Sequence, residues 1–253
     1  MGNGFYVFRF SKKKRVITVV CIAFIAALFL WFGKSEVLSV FSKQNPSVLA
    51  RGNEKVPNIS LTFNISWGEN KVHEILDQLE KNDVKATFFL SGEWAERHQE
   101  IIEEIMKGKH EIGMLGYRYK SYLDQDVEQV RADLLKAQEV FQKLGLKNVN
   151  LLRTPSGHFN EEIVELAHKL GFEVIHWNIN PNDWKNPGTQ EIIDFTMKNT
   201  SNGDILLLHA SDSAKQTAEA LKTILPGLKN KGFHFVHISE LLTEAHTKAK
   251  LAD

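Results

Sequence analysis

His209 ends the apolar run Leu206-Leu207-Leu208, and Asp183-Trp184 precedes it in the chain. An imidazole steered by a carboxylate is an acid–base pair, able to give or take a proton near neutral pH. A fixed cation, Arg153, opens the segment Arg153-Thr154-Pro155-Ser156-Gly157, and a fourth segment reads Thr62-Phe63-Asn64-Ile65. Each segment lies at or just after a short apolar run of β character. In a barrel of alternating strands and helices the strand C-termini gather at one face, where catalytic groups sit. A hydrolytic metal centre there would need carboxylates and histidines.

The elements that would position these groups follow from periodicity. Strands are expected at Ile59–Phe63, Ala86–Leu90, Glu111–Met114, Asn150–Leu152, Glu173–Trp177, Asp204–Leu208 and Phe233–Ile238. Between them, apolar residues recur with helical spacing. Val72, Ile75, Leu76 and Leu79 mark the first helix, Ala95–Met106 the second, and Val127 to Leu144 a long third. Ile163–Leu170, Gln190–Lys198, Thr217–Lys229 and a C-terminal helix from Ser239 follow. Alternating β and α units predict an α/β fold with a parallel sheet. It closes either as a distorted (β/α) barrel of seven or eight strands or as an open doubly wound sheet. Asn64-Ile65-Ser66-Trp67-Gly68 is no phosphate-binding glycine loop, which favours the barrel.

At these residues the chain resembles the polysaccharide deacetylase (NodB-homology carbohydrate esterase) family, and within it the membrane-anchored, sporulation-associated type. The resemblance runs from residue 57 to about 243. It is carried by Ala86-Thr87-Phe88-Phe89-Leu90 with Gly92, His110-Glu111-Ile112-Gly113, the Arg153–Gly157 segment, Asp183-Trp184, and Gly203-Asp204-Ile205-Leu206-Leu207-Leu208-His209. It implies hydrolysis of acetamido groups on N-acetylated sugars. In such a site one aspartate and two histidines hold a divalent metal, a second aspartate is the base, and a late histidine protonates the amine.

Against that pattern Asn64 stands at the base and Ile65 at the metal-binding aspartate, while Leu115 and Tyr119 stand at the two histidines. An amide accepts no proton near neutral pH, an aliphatic side chain cannot ligate, and a tyrosine would have to ionise first. Displaced ligands are sought at Glu69, His73 and His110, of which His110 is expected at the opposite face. The acid side is complete, with His209 and Asp183. Arg153, which the resemblance pairs with the base carboxylate, would face neutral Asn64. Trp184, Pro155 and Tyr119 offer flat apolar surface for a sugar ring, and Leu206 and Leu208 a pocket for a methyl group. The remaining histidines, His158 and His176 among them, are read as surface or core residues. The expected site is a metal position without metal, lined by Ile65 and Leu115, with His209 facing the cleft.

Three functions remain open: a glycan-binding or partner-binding homologue without metal hydrolysis, a deacetylase with zinc or another divalent ion held weakly at a non-standard site, and metal-free acid–base chemistry on His209 and Asp183. The expected partner is cell-wall glycan.

The 253 residues are 43% hydrophobic and 25% charged, an ordinary globular composition. Five of the 31 basic residues precede Gly33 and no acidic residue does, so the remainder carries 26 basic against 31 acidic, a formal charge of −5. That balance argues against nucleic acid as a partner. Residues 16–32 are uncharged and follow the basic block Lys12–Arg15. They are expected to be a single-pass transmembrane anchor, with residues 1–15 cytoplasmic and the rest outside. A cleaved signal peptide is the alternative reading. Cys21, the only cysteine, lies inside that run. Residues 33–56 are read as a tether and 57–253 as the folded domain.

Overall fold

A computed structural model describes residues 47–250, with side chains as far as residue 245. The basic tail, the run at 16–32 expected as an anchor, Cys21, and most of the expected tether lie outside the described residues. Among the described residues no helix is long and apolar enough to cross a membrane.

Seven parallel strands run along one path: β1 (Val48–Leu49), β6 (Glu173–Ile175), β5 (Leu151–Leu152), β4 (Glu111–Met114), β3 (Thr87–Leu90), β2 (Asn58–Ile65) and β7 (Ile205–His209). A short β8 (His234–Phe235) pairs with the start of β2. The sheet curls into a half-barrel. Its seam closes where the segment after β6 reaches β7: Leu207 N donates to Ile179 O at 2.8 Å, and Ile179 bridges Leu206. The expected α/β class, parallel pairing and alternation of strands and helices are present. Strands five and seven are shorter than expected, because the chain leaves the ladder at His176 and Val236. The domain also begins earlier than residue 57: Val48 and Leu49 pair with Val174 and Ile175, so the end of the expected tether is an edge strand.

The helices are α1 (Asn70–Lys81), α2 (Gly92–Ala95), α3 (Gln99–Lys107), α4 (Val127–Lys143), α5 (Glu161–Lys169), α6 (Thr189–Asn199), α7 (Thr217–Asn230) and α8 (Ile238–Lys250). The helix expected over Ala95–Met106 is two pieces, because the chain turns between Ala95 and Gln99. Each longer helix turns one apolar stripe to the sheet. On α1 that stripe is Val72, Ile75, Leu76 and Leu79, and each such burial contributes up to about 1.5–3 kcal/mol. Asp126 and Gln129 form a capping box at the start of α4.

Alternation along the strands sorts residues to two faces. Phe63, Ile65, Phe88, Leu90, Leu206 and Leu208 pack in the cluster under the helices. Phe89, Leu115, Leu151, Ile175 and Ile205 pack on the concave face with Ile238 and Leu241 of α8. The start of α8 is held there by Thr87 and Glu111, since Thr87 Oγ1 accepts from Ile238 N and Glu111 Oε2 from Ser239 N.

His110 lies far from the strand C-termini, as expected, and its role is structural. Its Nδ1 accepts from Ala86 N at 3.2 Å, so the ring is neutral in the fold. Burial, with help from Lys85 and His237, lowers its pKa to about 4. The unfolded chain takes up this proton near pH 6.5, so His110 contributes full stability above pH 6.5 and loses it as pH falls toward 4. The melting temperature of the full chain is expected to fall across that window. His110→Asn, which keeps an acceptor and does not titrate, should flatten the slope in a calorimetric pH series.

Candidate functional site

β7 places His209 at the mouth of the half-barrel, directly paired with Asn64 of β2. Asp183 reaches it from a tight turn, Asp183–Lys185, flanked by two left-handed residues, Asn182 (φ 55°) and Asn186 (φ 53°). Asparagine tolerates that backbone better than other side-chain-bearing residues. The Asp183 carboxylate is fully buried. One oxygen accepts from His209 Nδ1 at 2.8 Å. The other accepts from His209 N at 2.7 Å and Thr217 Oγ1 at 2.6 Å. An ionised carboxylate only accepts, so Nδ1 carries the ring proton and Nε2 is left for the cleft.

Arg153 is completely buried on the same face. Its Nη1 donates to Thr62 Oγ1 and to Asn64 Oδ1, both at 3.0 Å, and its Nη2 to His176 O at 3.1 Å. The guanidinium lies 4.1 Å from the Phe89 ring centre and 5.3 Å from that of Trp177. Burial lowers its pKa to about 9, which leaves it charged at pH 7. No carboxylate forms an ion pair with it among the described residues.

Asp183 and Arg153 lie behind the floor of a cleft of about 570 Å³, the size of a ligand site. Asn64, Leu207 and His209 lie at its base, and Trp67, Tyr119 and Trp184 at its rim, 56%, 41% and 47% exposed. Trp177, stacked on His176 at 4.0 Å, forms a wall. Ser66, Ser156, His158, Asn180, Asn182, Ser211 and Ser213 supply the polar lining. Ser156 has a left-handed backbone (φ 59°), which places strain at the cleft wall. Two carboxylates outside the cleft hold its rim. Asp133 accepts from Tyr117 N, Arg118 N and Tyr122 Oη and so fixes the segment presenting Tyr119. Burial and that neighbouring charge push the Tyr122 hydroxyl well above its ordinary pKa. Asp212 accepts from the amides of Glu69, Asn70 and Lys71 and from Asn70 Nδ2, capping α1 from the loop after β7. Desolvation pushes the Asp212 carboxyl up, but these hydrogen bonds prevail and hold it below the usual carboxylate range.

Of the expected site residues, His209, Asn64, Tyr119 and Trp184 line the cleft, while Asp183 and Arg153 lie buried behind it, bonded to His209 and Asn64. Leu206 and Leu208 do not: both are buried under the helices, and Leu207 lines the cleft instead. The strand period is two, so a residue sharing the His209 face must differ from it by an even number. Pro155 is buried as the first residue of a tight turn, and its neighbour Ser156 takes its place. The expected metal position lined by Ile65 and Leu115 is absent. Ile65 is buried in the helix-side cluster and Leu115 in the concave-face cluster, and neither lines the cleft. His158, read as a residue without chemistry, lines the cleft. Trp67, Trp177 and Thr217 were not anticipated. An exposed tryptophan after the first strand, Trp67, was the one signal available.

The donors at 64, 65, 115 and 119 do not fit a divalent metal, since only Asn64 and Tyr119 reach the cleft and neither carries a carboxylate or imidazole. The displaced candidates are engaged elsewhere. His73 pairs with Glu104 at 2.8 Å and His98 with Glu69 at 3.6 Å. Among the described residues no three His, Cys, Asp or Glu side chains converge.

The chain's likenesses agree with this geometry. The polysaccharide deacetylase profile matches residues 51–175. A peptidoglycan-N-acetylglucosamine deacetylase of Bacillus cereus is 34% identical over 197 residues, which cover 77% of this chain and 91% of that protein. The structure of a CE4 family pseudoenzyme from Bacillus anthracis superposes with TM-score 0.74 at 31% identity, covering 79% of this chain and 70% of that one. Bacillus subtilis PdaA, a family 4 carbohydrate esterase, superposes with TM-score 0.73 at 28% identity, over 79% and 86%. With the half-barrel, the His209–Asp183 pair and a relative matched along nine-tenths of its length, this chain belongs to the polysaccharide deacetylase (CE4, NodB-homology) family.

Proposed function

We propose that the chain binds N-acetylated cell-wall glycan in the aromatic-rimmed cleft and does not run metal-dependent N-deacetylation. One observation carries this reading: of positions 64, 65, 115 and 119, two are aliphatic and buried in the core, and none offers a carboxylate or imidazole. The exposed faces of Trp67, Tyr119 and Trp184 suit the apolar faces of sugar rings, while the serines and asparagines between them suit hydroxyls and amides. The Bacillus anthracis pseudoenzyme at 31% identity supports loss of activity on this fold. The proposal includes residues 16–32 as the anchor holding the domain outside the cytoplasmic membrane, in a sporulation-associated role. A metal-free reaction on His209 and Asp183 is the second reading, favoured by the intact 2.8 Å contact between them.

The test uses full-length protein in detergent, with peptidoglycan fragments and N-acetylglucosamine oligomers. Acetate release is expected to stay at the background of a His209→Ala variant, with or without zinc and with or without a chelator. Tryptophan fluorescence should report oligomer binding, weakened about tenfold or more by Trp184→Ala. Acetate release abolished by the chelator and restored by metal overturns the first reading. Metal-independent release lost in His209→Ala selects the second.

A further inference from the structure

No aspartate, glutamate, lysine or arginine lines the cleft. Two buried charges of opposite sign lie behind its floor, Arg153 bonded to Asn64 and Asp183 bonded to His209. With its Nδ1 proton turned to Asp183, His209 presents Nε2 as an acceptor. Nothing at the floor calls for a charged ligand.

The lip is different. Tyr119 stands between Arg118 and Lys120, Lys185 follows Trp184, and Lys215 lies just past Ser213. All four cations are exposed. Lys185 Nζ lies 5.1 Å from the Trp184 ring centre and so overhangs the rim. None of the four forms an ion pair among the described residues. The carboxylates on the same segments are committed elsewhere. Asp183 accepts from three donors, Asp212 caps α1, and Glu69 faces His98. Asp124, Glu161 and Glu162 bound the arc farther along the chain. Residues 33–253 carry a formal charge of −5, yet uncommitted cations gather on the segments around this one opening. Such a cluster repels itself, and negative charge brought from outside relieves it.

We infer that the lip recognises an anionic glycan. Its uncharged rings seat in the cleft, and carboxylates on the flanking units meet Arg118, Lys120, Lys185 and Lys215. A neutral homopolymer of N-acetylglucosamine fills the cleft and leaves the lip unused. Each exposed ion pair is weak alone, so the lip acts through the number of its charges and through long-range attraction. This deepens the glycan-binding reading and rests on it.

Fluorescence of the cleft tryptophans tests it on the full-length protein in a non-ionic detergent. The probes are a peptidoglycan tetrasaccharide with free carboxylates and the same tetrasaccharide with every carboxylate converted to the amide. At about 10 mM salt, where the screening length is about 30 Å, the acid is expected to bind about tenfold more tightly than the amide. The preference should vanish near 1 M salt, where that length is about 3 Å. A variant carrying Arg118→Gln, Lys120→Gln, Lys185→Gln and Lys215→Gln should lose the preference, with circular dichroism showing the fold retained. A second variant carries Lys81→Gln, Lys107→Gln, Lys147→Gln and Lys198→Gln, at or just past the C-terminal ends of α1, α3, α4 and α6. It removes as much charge far from the lip and should keep the preference. The basic block Lys12–Arg15 is present in both. Equal binding of acid and amide by the wild-type protein at low salt overturns the lip and leaves the glycan reading standing. A preference kept by the folded first variant, or lost in the second as well, also overturns it. Binding of neither tetrasaccharide is the failure of the glycan reading, and the lip falls with it. Fragments with and without their peptide stems place the carboxylate on the stem or on the sugar, and either place meets the proposal.

Discussion

Asp183→Ala is expected to lower the unfolding free energy by about 3–5 kcal/mol, read from guanidinium titration of the full chain. The carboxylate is fully buried and accepts from a backbone amide, an imidazole and a hydroxyl. Alanine leaves all three donors without a partner in a space closed to water. A buried donor left unsatisfied costs about 1–3 kcal/mol, and the His209 amide and Thr217 hydroxyl cannot relocate without disturbing β7 and α7. Asp183→Asn separates this structural role from the chemical one. Its oxygen still serves the amide and the hydroxyl, so most stability returns. Its NH₂ faces Nδ1 of His209 and forces the ring proton to Nε2. Nitrogen-15 shifts of His209 should report that tautomer. A loss below about 1 kcal/mol in Asp183→Ala would remove Asp183 from the framework of the site.

Ile65→Asp is expected to cost a similar amount, about 3–5 kcal/mol, although it restores a residue type that the family resemblance implies. Ile65 is the last residue of β2, fully buried and paired in register with Leu90 on the helix side of the sheet. A carboxylate there has no cation and no convergent donors. Added zinc should not return the lost melting temperature, because Leu115 is buried in the other cluster and Tyr119 alone cannot complete a tetrahedral set. Zinc-dependent recovery of stability would show that the position still belongs to a metal site. On the proposed reading the residue types at 64, 65, 115 and 119 go together. Without the ion each charged ligand is a buried liability, and with aliphatic residues installed the core has closed over their places.

The order of elements was legible because apolar spacing switches cleanly between periods of two and 3.6, as in Ile59–Phe63 followed by Val72, Ile75, Leu76 and Leu79. His209 and Asp183 were legible as a pair because both follow strands of one parallel sheet. In β7 it is Leu207, not Leu206 or Leu208, that shares the cleft face with His209. Every residue from Ile205 to Leu208 is apolar and buried, so hydrophobicity carries no record of which face is which. Only the position of His209 does. The edge strand at Val48–Leu49 is not legible in the sequence, because two residues show no periodicity. Trp177 and Thr217 reach the site through contacts between distant segments, and neither carries a local signal. The left-handed backbone at Asn182 and Asn186 sets the Asp183 turn, yet asparagine there is compatible with many other turns.

The Asp212 cap has one more effect. It stitches the segment carrying Ser211 and Ser213 to the first turn of α1, just beyond Trp67, so two neighbouring stretches of the recess's edge are fastened to each other before any visitor arrives. A visitor meets a preformed receptor and surrenders little loop entropy on docking. Amide exchange at Ser66 and at 69–71 should be slowed together in the free protein, and nearly unaltered on saturation.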